Sequence, residues 1–191
     1  MDLELSIPLL SAADTGSRPS RLEEEVVSLF DRLRGPLLRY LLSFRIDIAD
    51  AEEIVQEVFL ALFQHLRNGK SRANLPAWIF TVAHNLALRN RLRMQRQPAA
   101  LSGAEPVEAA DLTAGPEEHV AHLQRQQRLL AVVRALPEQD QCCLSLRAEG
   151  LRYRDIAAVL GISLGSVASS LERSLARLAR ADATNSRSVC I

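Results

Sequence analysis

With 191 residues, 48% of them hydrophobic, the chain can bury a core as one large domain or two small ones. Its 23 basic and 23 acidic residues cancel, which would argue against nucleic acid only if the charge were evenly spread. No stretch approaches the roughly 20 apolar residues that cross a bilayer. The N-terminus is acidic and lacks the basic start of a secretion signal, so the expectation is a cytoplasmic protein with no membrane insertion.

The charge comes in blocks. Residues 1–57 carry 12 acidic and 6 basic residues, and residues 58–104 carry 7 basic and none acidic. Residues 105–124 carry 5 acidic and none basic, and residues 125–180 carry 9 Arg against 5 acids. Screening over roughly 10 Å lets each block act on its own partner. Cys142 and Cys143 are adjacent, Cys190 lies in the tail, and no CxxC spacing exists. This predicts reduced thiols, one filling core space, and neither a metal site nor a cofactor.

Residues 1–20 show no sustained period and read as a disordered tail. A helix begins near Ser20, with Glu23, Glu24 and Glu25 where carboxylates suit its dipole. Gly35-Pro36 is expected to interrupt it, a second helix then ending near Phe44. Asp47 or Asp50 caps the next helix, 47–67, whose apolar stripe is Ile54, Val55, Val58, Phe59, Leu62 and Phe63. Asp50, Glu53, Gln56 and Glu57 form its polar side.

After a loop at 68–74, Leu75-Pro76 opens a helix to about Arg96. Trp78, Ile79, Val82 and Leu86 are its apolar face, with Trp78 assigned to the core. Arg89, Arg91, Arg93 and Arg96 make its end basic. The helix dipole accounts for one or two cations there. Four of them, in a block with no acid, point to phosphate contacts. Residues 97–116 are rich in Pro, Gly and Ala and read as a flexible acidic linker. Helices at 117–136 and 137–149 follow. His119 and His122 share a face but read as an exposed polar pair.

Residues 151–180, LRYRDIAAVLGISLGSVASSLERSLARLAR, read as two helices around a tight turn. Gly161 ends the first by accepting a left-handed conformation, and Ser163 caps the second. Leu164, Val167, Leu171, Leu175 and Leu178 recur at helical spacing as a core stripe. Ala157, Gly161 and Val167 stand at helix-turn-helix spacing, which would place the second helix in a DNA major groove. With no strand-period segment, the fold class is all-α: two small helical domains joined by the linker, the C-terminal one containing the helix-turn-helix. The boundaries are 1–20 tail, 21–96, 97–116 linker, 117–182, and 183–191 tail.

Two segments together resemble the extracytoplasmic-function sigma factors of bacterial RNA polymerase. DAEEIVQEVFLALFQHL (50–66) with LPAWIFTVAHNLALRNRLR (75–93) is similar to the family's promoter-melting domain. LPEQDQCCLSLRAEGLRYRDIAAVLGISLGSVASSLERSLARL (136–178) is similar to its C-terminal promoter domain. The resemblance implies a non-enzymatic subunit that binds core RNA polymerase through the largest-subunit clamp helices and the flap. It implies promoter DNA as a second partner and an anti-sigma factor as a third. Asp50, Glu53, Gln56 and Glu57 would then dock on the clamp helices. Asn85 would read a flipped base of the downstream element, Phe80 would stack on it, and His84 lies nearby. Arg89, Arg91 and Arg93 would track phosphates.

In the C-terminal half, Ser166, Ser169, Ser170 and Arg173 would face the major groove of the upstream element, with Arg154 and Arg177 on phosphates. Here the chain departs from the family. Ser166-Val167-Ala168-Ser169-Ser170 stands where Thr-Val-Lys-Ser-Arg is usual, and Glu172 repels phosphate unless it accepts from a cytosine amino group. Upstream binding is therefore weak, of unusual sequence, or replaced by a protein contact. The acidic linker reads either as a mimic of nucleic acid inside the polymerase or as a solvated tether. The alternative reading of the whole chain is a stand-alone helix-turn-helix regulator that binds duplex DNA as a dimer.

Overall fold

The computed structural model describes residues 20–96 and 116–186, and every described element is helical. Helix α1 spans Arg21–Leu42. Ser20 opens it with a capping box: its hydroxyl accepts from the Glu23 amide at 3.3 Å, and the Glu23 carboxylate accepts from the Ser20 amide at 2.7 Å. Contrary to the expectation at Gly35-Pro36, the helix runs through this pair without a break. The reason is the stripe on either side of it. Leu29, Leu33, Leu37, Tyr40 and Leu41 are all buried on one face. Each large apolar side chain withdrawn from water contributes about 1.5–3 kcal/mol, which outweighs the roughly 3 kcal/mol cost of an interior proline.

Helix α2 spans Ile48–Arg67, and the Asp47 side chain caps it by accepting from the Asp50 amide at 2.9 Å. Ala51, Ile54, Val55, Val58, Phe59, Leu62 and Leu66 are its buried face against α1. Helix α3, Leu75–Arg96, buries Leu75, Ala77, Ile79, Phe80, Ala83 and Ala87. Ala83 and Ala87 are fully buried, and their small side chains let α3 lie close to its neighbours.

In the second half, α4 (Pro116–Arg134), α5 (Glu138–Ala148) and α6 (Tyr153–Leu160) all pack on α7 (Leu164–Ser186). The Gln141 amide reaches back to the carbonyls of Arg134 and Leu136, closing the end of α4. Gly161 has φ +66°, the left-handed exit expected of it, and the Ser163 hydroxyl accepts from the Ser166 amide at 3.0 Å. The axes of α6 and α7 turn by 107°, within the helix-turn-helix range.

The stripe on α7 differs from the expected one. Val167 and Leu171 are buried, but Leu164 and Leu175 are exposed at 54% and 55%. Ser170 and Ser174 are buried in their place. Small side chains there let α5 and α6 sit against the helix, and each hydroxyl is satisfied. Ser174 donates to the Ser170 carbonyl, and the Ser170 hydroxyl meets Gln139 and Arg173. The helix also continues past Arg180 to Ser186.

The two halves touch. α3 lies against α6 and α1 meets α5, so the buried side chains of both halves form one continuous cluster.

Candidate functional site

Three surfaces carry the expected residues. On α2, Glu53, Gln56 and Glu57 are exposed together on the face turned away from the core. Asp50, seven residues before Glu57, lies on the same side of α2 but is half-buried. Its carboxylate accepts from the Asn90 side chain at 2.9 Å and lies 3.9 Å from an Arg93 nitrogen, so it ties the start of α2 to α3. It differs from the other three because α3 comes within reach of this end of the helix.

On α3 the expected base-capture group divides. Phe80 is 1% exposed and packs edge-on against Tyr40, ring centres 5.6 Å apart. It is a core residue in this conformation and presents no face for a base to stack on. His84 is half-buried, with Nδ1 2.8 Å from the Tyr40 hydroxyl and its ring against Phe44. Burial pushes the imidazole below its ordinary range, partly offset by Glu138, so it is neutral near pH 7. Burial likewise pushes the Tyr40 hydroxyl up, so it keeps its proton and can donate to Nδ1. Asn85 is exposed, as are Arg89, Arg93 and Arg96. Trp78, expected in the core, is only half-buried, at the rim beside His65 with ring centres 4.5 Å apart. Leu92 and Met94 are exposed among the arginines, which periodicity gave no reason to single out.

Arg91 is engaged elsewhere. Its guanidinium forms a two-pronged pair with the Glu138 carboxylate at the start of α5, one prong at 3.0 Å. The same contact holds Glu138 below the ordinary carboxylate range.

In the helix-turn-helix, Ser169, Arg177 and Arg154 are exposed and Ser166 is half-buried. Ser170 is fully buried and cannot face a groove. Arg173 turns back to α5, where one nitrogen lies 2.9 Å from Asp140 and 3.3 Å from the Ser170 hydroxyl. Asp140, only 2% exposed, is an internal anchor that sequence reasoning missed. Its one sequence signal is a carboxylate one turn before Cys143 on what proves to be the inner face of α5. The outer face of α7 keeps Gly165, Ala168, Ser169, Glu172 and Ala176. Cys142 and Cys143 are free and buried, and desolvation pushes the Cys142 thiol up to about 12, so it is protonated and unreactive.

Comparison with known proteins follows this division. The family model described as Sigma-70 region 2 matches residues 29–97, and that described as Sigma-70, region 4 matches residues 126–178. The chain is 31% identical over 170 residues to the ECF RNA polymerase sigma factor RpoE of Cereibacter sphaeroides, covering 84% of this chain and 88% of that one.

The chain belongs to the extracytoplasmic-function RNA polymerase sigma factors.

It is also 29% identical over 157 residues to the ECF RNA polymerase sigma factor EcfG of Rhodopseudomonas palustris, covering 78% of this chain and 84% of that one. In fold it is similar to the sigma factor RpoE solved with the anti-sigma factor NepR from Bartonella quintana: TM-score 0.59, 20% identity, 83% of this chain and 96% of that one. As an RNA polymerase sigma factor it acts in transcription initiation, with core polymerase and promoter DNA as partners. Region 2 comprises most of α1 with α2 and α3, and region 4 the second half of α4 with α5, α6 and most of α7. Among the described residues no single helix is long and apolar enough to cross a membrane, and no cluster of His, Cys, Asp and Glu could hold a metal.

Proposed function

We propose that this sigma factor divides its work among three surfaces, within domains bounded at 21–96 and 117–182. Glu53, Gln56 and Glu57 dock on a basic helical surface of core RNA polymerase, where carboxylates pair with arginines. Asn85, with Arg89, Arg91 and Arg93, takes the melted downstream strand: the amide reads a base edge and the cations follow phosphates. With Phe80 committed to the core, the aromatic group left on this side of α3 is Trp78, half-exposed seven residues before Asn85. Ser169, Arg154 and Arg177 contact the upstream duplex. The subunit carries out no covalent step itself and works in the cytoplasm. An anti-sigma factor holds it inactive, a reading supported by the NepR-bound relative.

The observation that carries this reading is that α2 exposes two carboxylates, an amide and no cation at 53, 57 and 56, while α3 of the same unit exposes cations and no acid from 85 to 96. A stand-alone duplex-binding dimer has no use for that split. Charge reversal at Glu53 and Glu57 should weaken core binding about tenfold or more in a polymerase titration, and unchanged affinity would remove the docking assignment. Asn85→Ala should lower permanganate reactivity of melted promoter thymines while leaving core binding unchanged. Equal reactivity would reject its role in strand capture.

A further inference from the structure

Glu172 stands exposed on the outer face of α7, opposite the buried Val167, Ser170, Leu171 and Ser174. Among the described residues its carboxylate has no hydrogen-bond or ion-pair partner. The residues three and four away along the helix are Ala168, Ser169, Leu175 and Ala176, so no cation is in place for an intrahelical pair. Glu172 also lies eight residues past Leu164, beyond the first turn where the helix dipole favours an acid. The next guanidinium in the chain, Arg173, is drawn back to the buried Asp140. No contact within the described residues accounts for an acid at this place.

Gly165, Ala168, Ser169 and Glu172 are all exposed and stand at i, i+3, i+4 and i+7, a spacing by which a recognition helix meets successive base edges in the major groove. A carboxylate brought there can only accept hydrogen bonds. Guanine presents two acceptors on its groove edge, thymine one, and adenine an acceptor beside its amino group. Cytosine presents an amino donor and no acceptor. It is therefore the one base whose edge Glu172 meets without repulsion. Opposite any other base, a charged oxygen loses water between phosphates with no full compensation. We propose that Glu172 sets the sequence of the upstream element by accepting a hydrogen bond from the amino group of a cytosine. This role rests on the upstream-duplex contacts of Ser169, Arg154 and Arg177 proposed above, which hold α7 in the groove. The arginines supply attraction that is indifferent to sequence, and Glu172 supplies discrimination. Exchange of that one base pair should cost about tenfold in affinity, within the range for a single mismatched pair.

The test uses holoenzyme reconstituted from purified core RNA polymerase and the full-length subunit. It selects from a library of random duplexes, and the bound fraction is sequenced. The wild type should enrich a downstream block and an upstream block, the latter with one position held as cytosine. In Glu172→Ala that position alone should flatten, with the downstream block unchanged. In Glu172→Gln it should move from cytosine to adenine, whose edge an amide meets with both its donor and its acceptor. On the selected duplex, exchanging the C·G pair for T·A should weaken the wild type about tenfold and Glu172→Ala by no more than about twofold, a comparison in which the lost charge cancels. Both substitutions change an exposed, unpartnered side chain and leave the fold intact. A cytosine that persists in Glu172→Ala, or an upstream block without one, would overturn the role of Glu172 and leave the upstream contacts standing. A downstream block with no upstream block would overturn those contacts and the role with them.

Discussion

Phe80 and Asn85 stand five residues apart on one helix and have opposite fates, because helical geometry turns them to different faces. Phe80→Ala should therefore destabilise region 2 by about 3–5 kcal/mol, the range for emptying a packed aromatic site. Asn85→Ala, being exposed, should stay within about 0.5 kcal/mol of wild type. Chemical denaturation of both variants checks this, and equal losses would contradict the burial of Phe80. At Arg173 the argument runs through Asp140. Removing the guanidinium leaves a buried carboxylate without its charged donor, so Arg173→Ala should cost about 1.5–3 kcal/mol. A variant that instead kept full stability and lost only upstream binding would return Arg173 to the groove.

His84 gives the pH dependence at this scale. Burial lowers its pKa below the unfolded value near 6.5, so the unfolded chain binds the proton more readily. The stability this contributes is fully present above about pH 6.5 and is lost as pH falls below it. Wild-type denaturation midpoints should drop between pH 7 and 5, and His84→Gln should flatten that slope. An unchanged slope would mean that the imidazole is solvated.

Among the elements, α1 shows best what periodicity reads and where it stops. Its apolar stripe is plain in the sequence, but Gly35-Pro36 looked like a break, because local propensity does not weigh the core contacts on both sides of it. Gly35 sits inside this helix at an ordinary φ directly before Pro36, and a Cβ there would crowd the proline ring in helical backbone. Gly35→Ala should thus forfeit the about 0.5–1 kcal/mol that the exchange brings elsewhere in a helix, leaving the denaturation midpoint unchanged or lower. A rise of that full size would show that the backbone before Pro36 is unstrained. The α7 stripe was legible at Val167 and Leu171 and misread at Leu164 and Leu175. Apolar spacing could not reveal that buried serines, satisfied by Gln139 and Arg173, would complete the face. The exposed polar face of α2 is legible at Glu53, Gln56 and Glu57. The pairing of Asp50 is not, because Asn90 and Arg93 lie 40 and 43 residues away in sequence.

For the whole molecule, the alternating charge blocks already implied separate partners, and two-region architecture followed from motif order. Contact between the halves was invisible in the sequence. Nothing in the spacing of Arg39, Asn74 or Arg91 marks Glu149, Asp155 or Glu138 as their mates. Arg39–Glu149 and Arg91–Glu138 are partly solvated, so raising the salt should weaken both pairs.

The most direct measurement is in vitro transcription by purified core RNA polymerase on a promoter library, with and without this subunit. The account predicts discrete new start sites that depend on the subunit, share a downstream element, and are lost with the Glu53 and Glu57 reversals. Absence of new start sites, with tight duplex binding by the subunit alone, would contradict it.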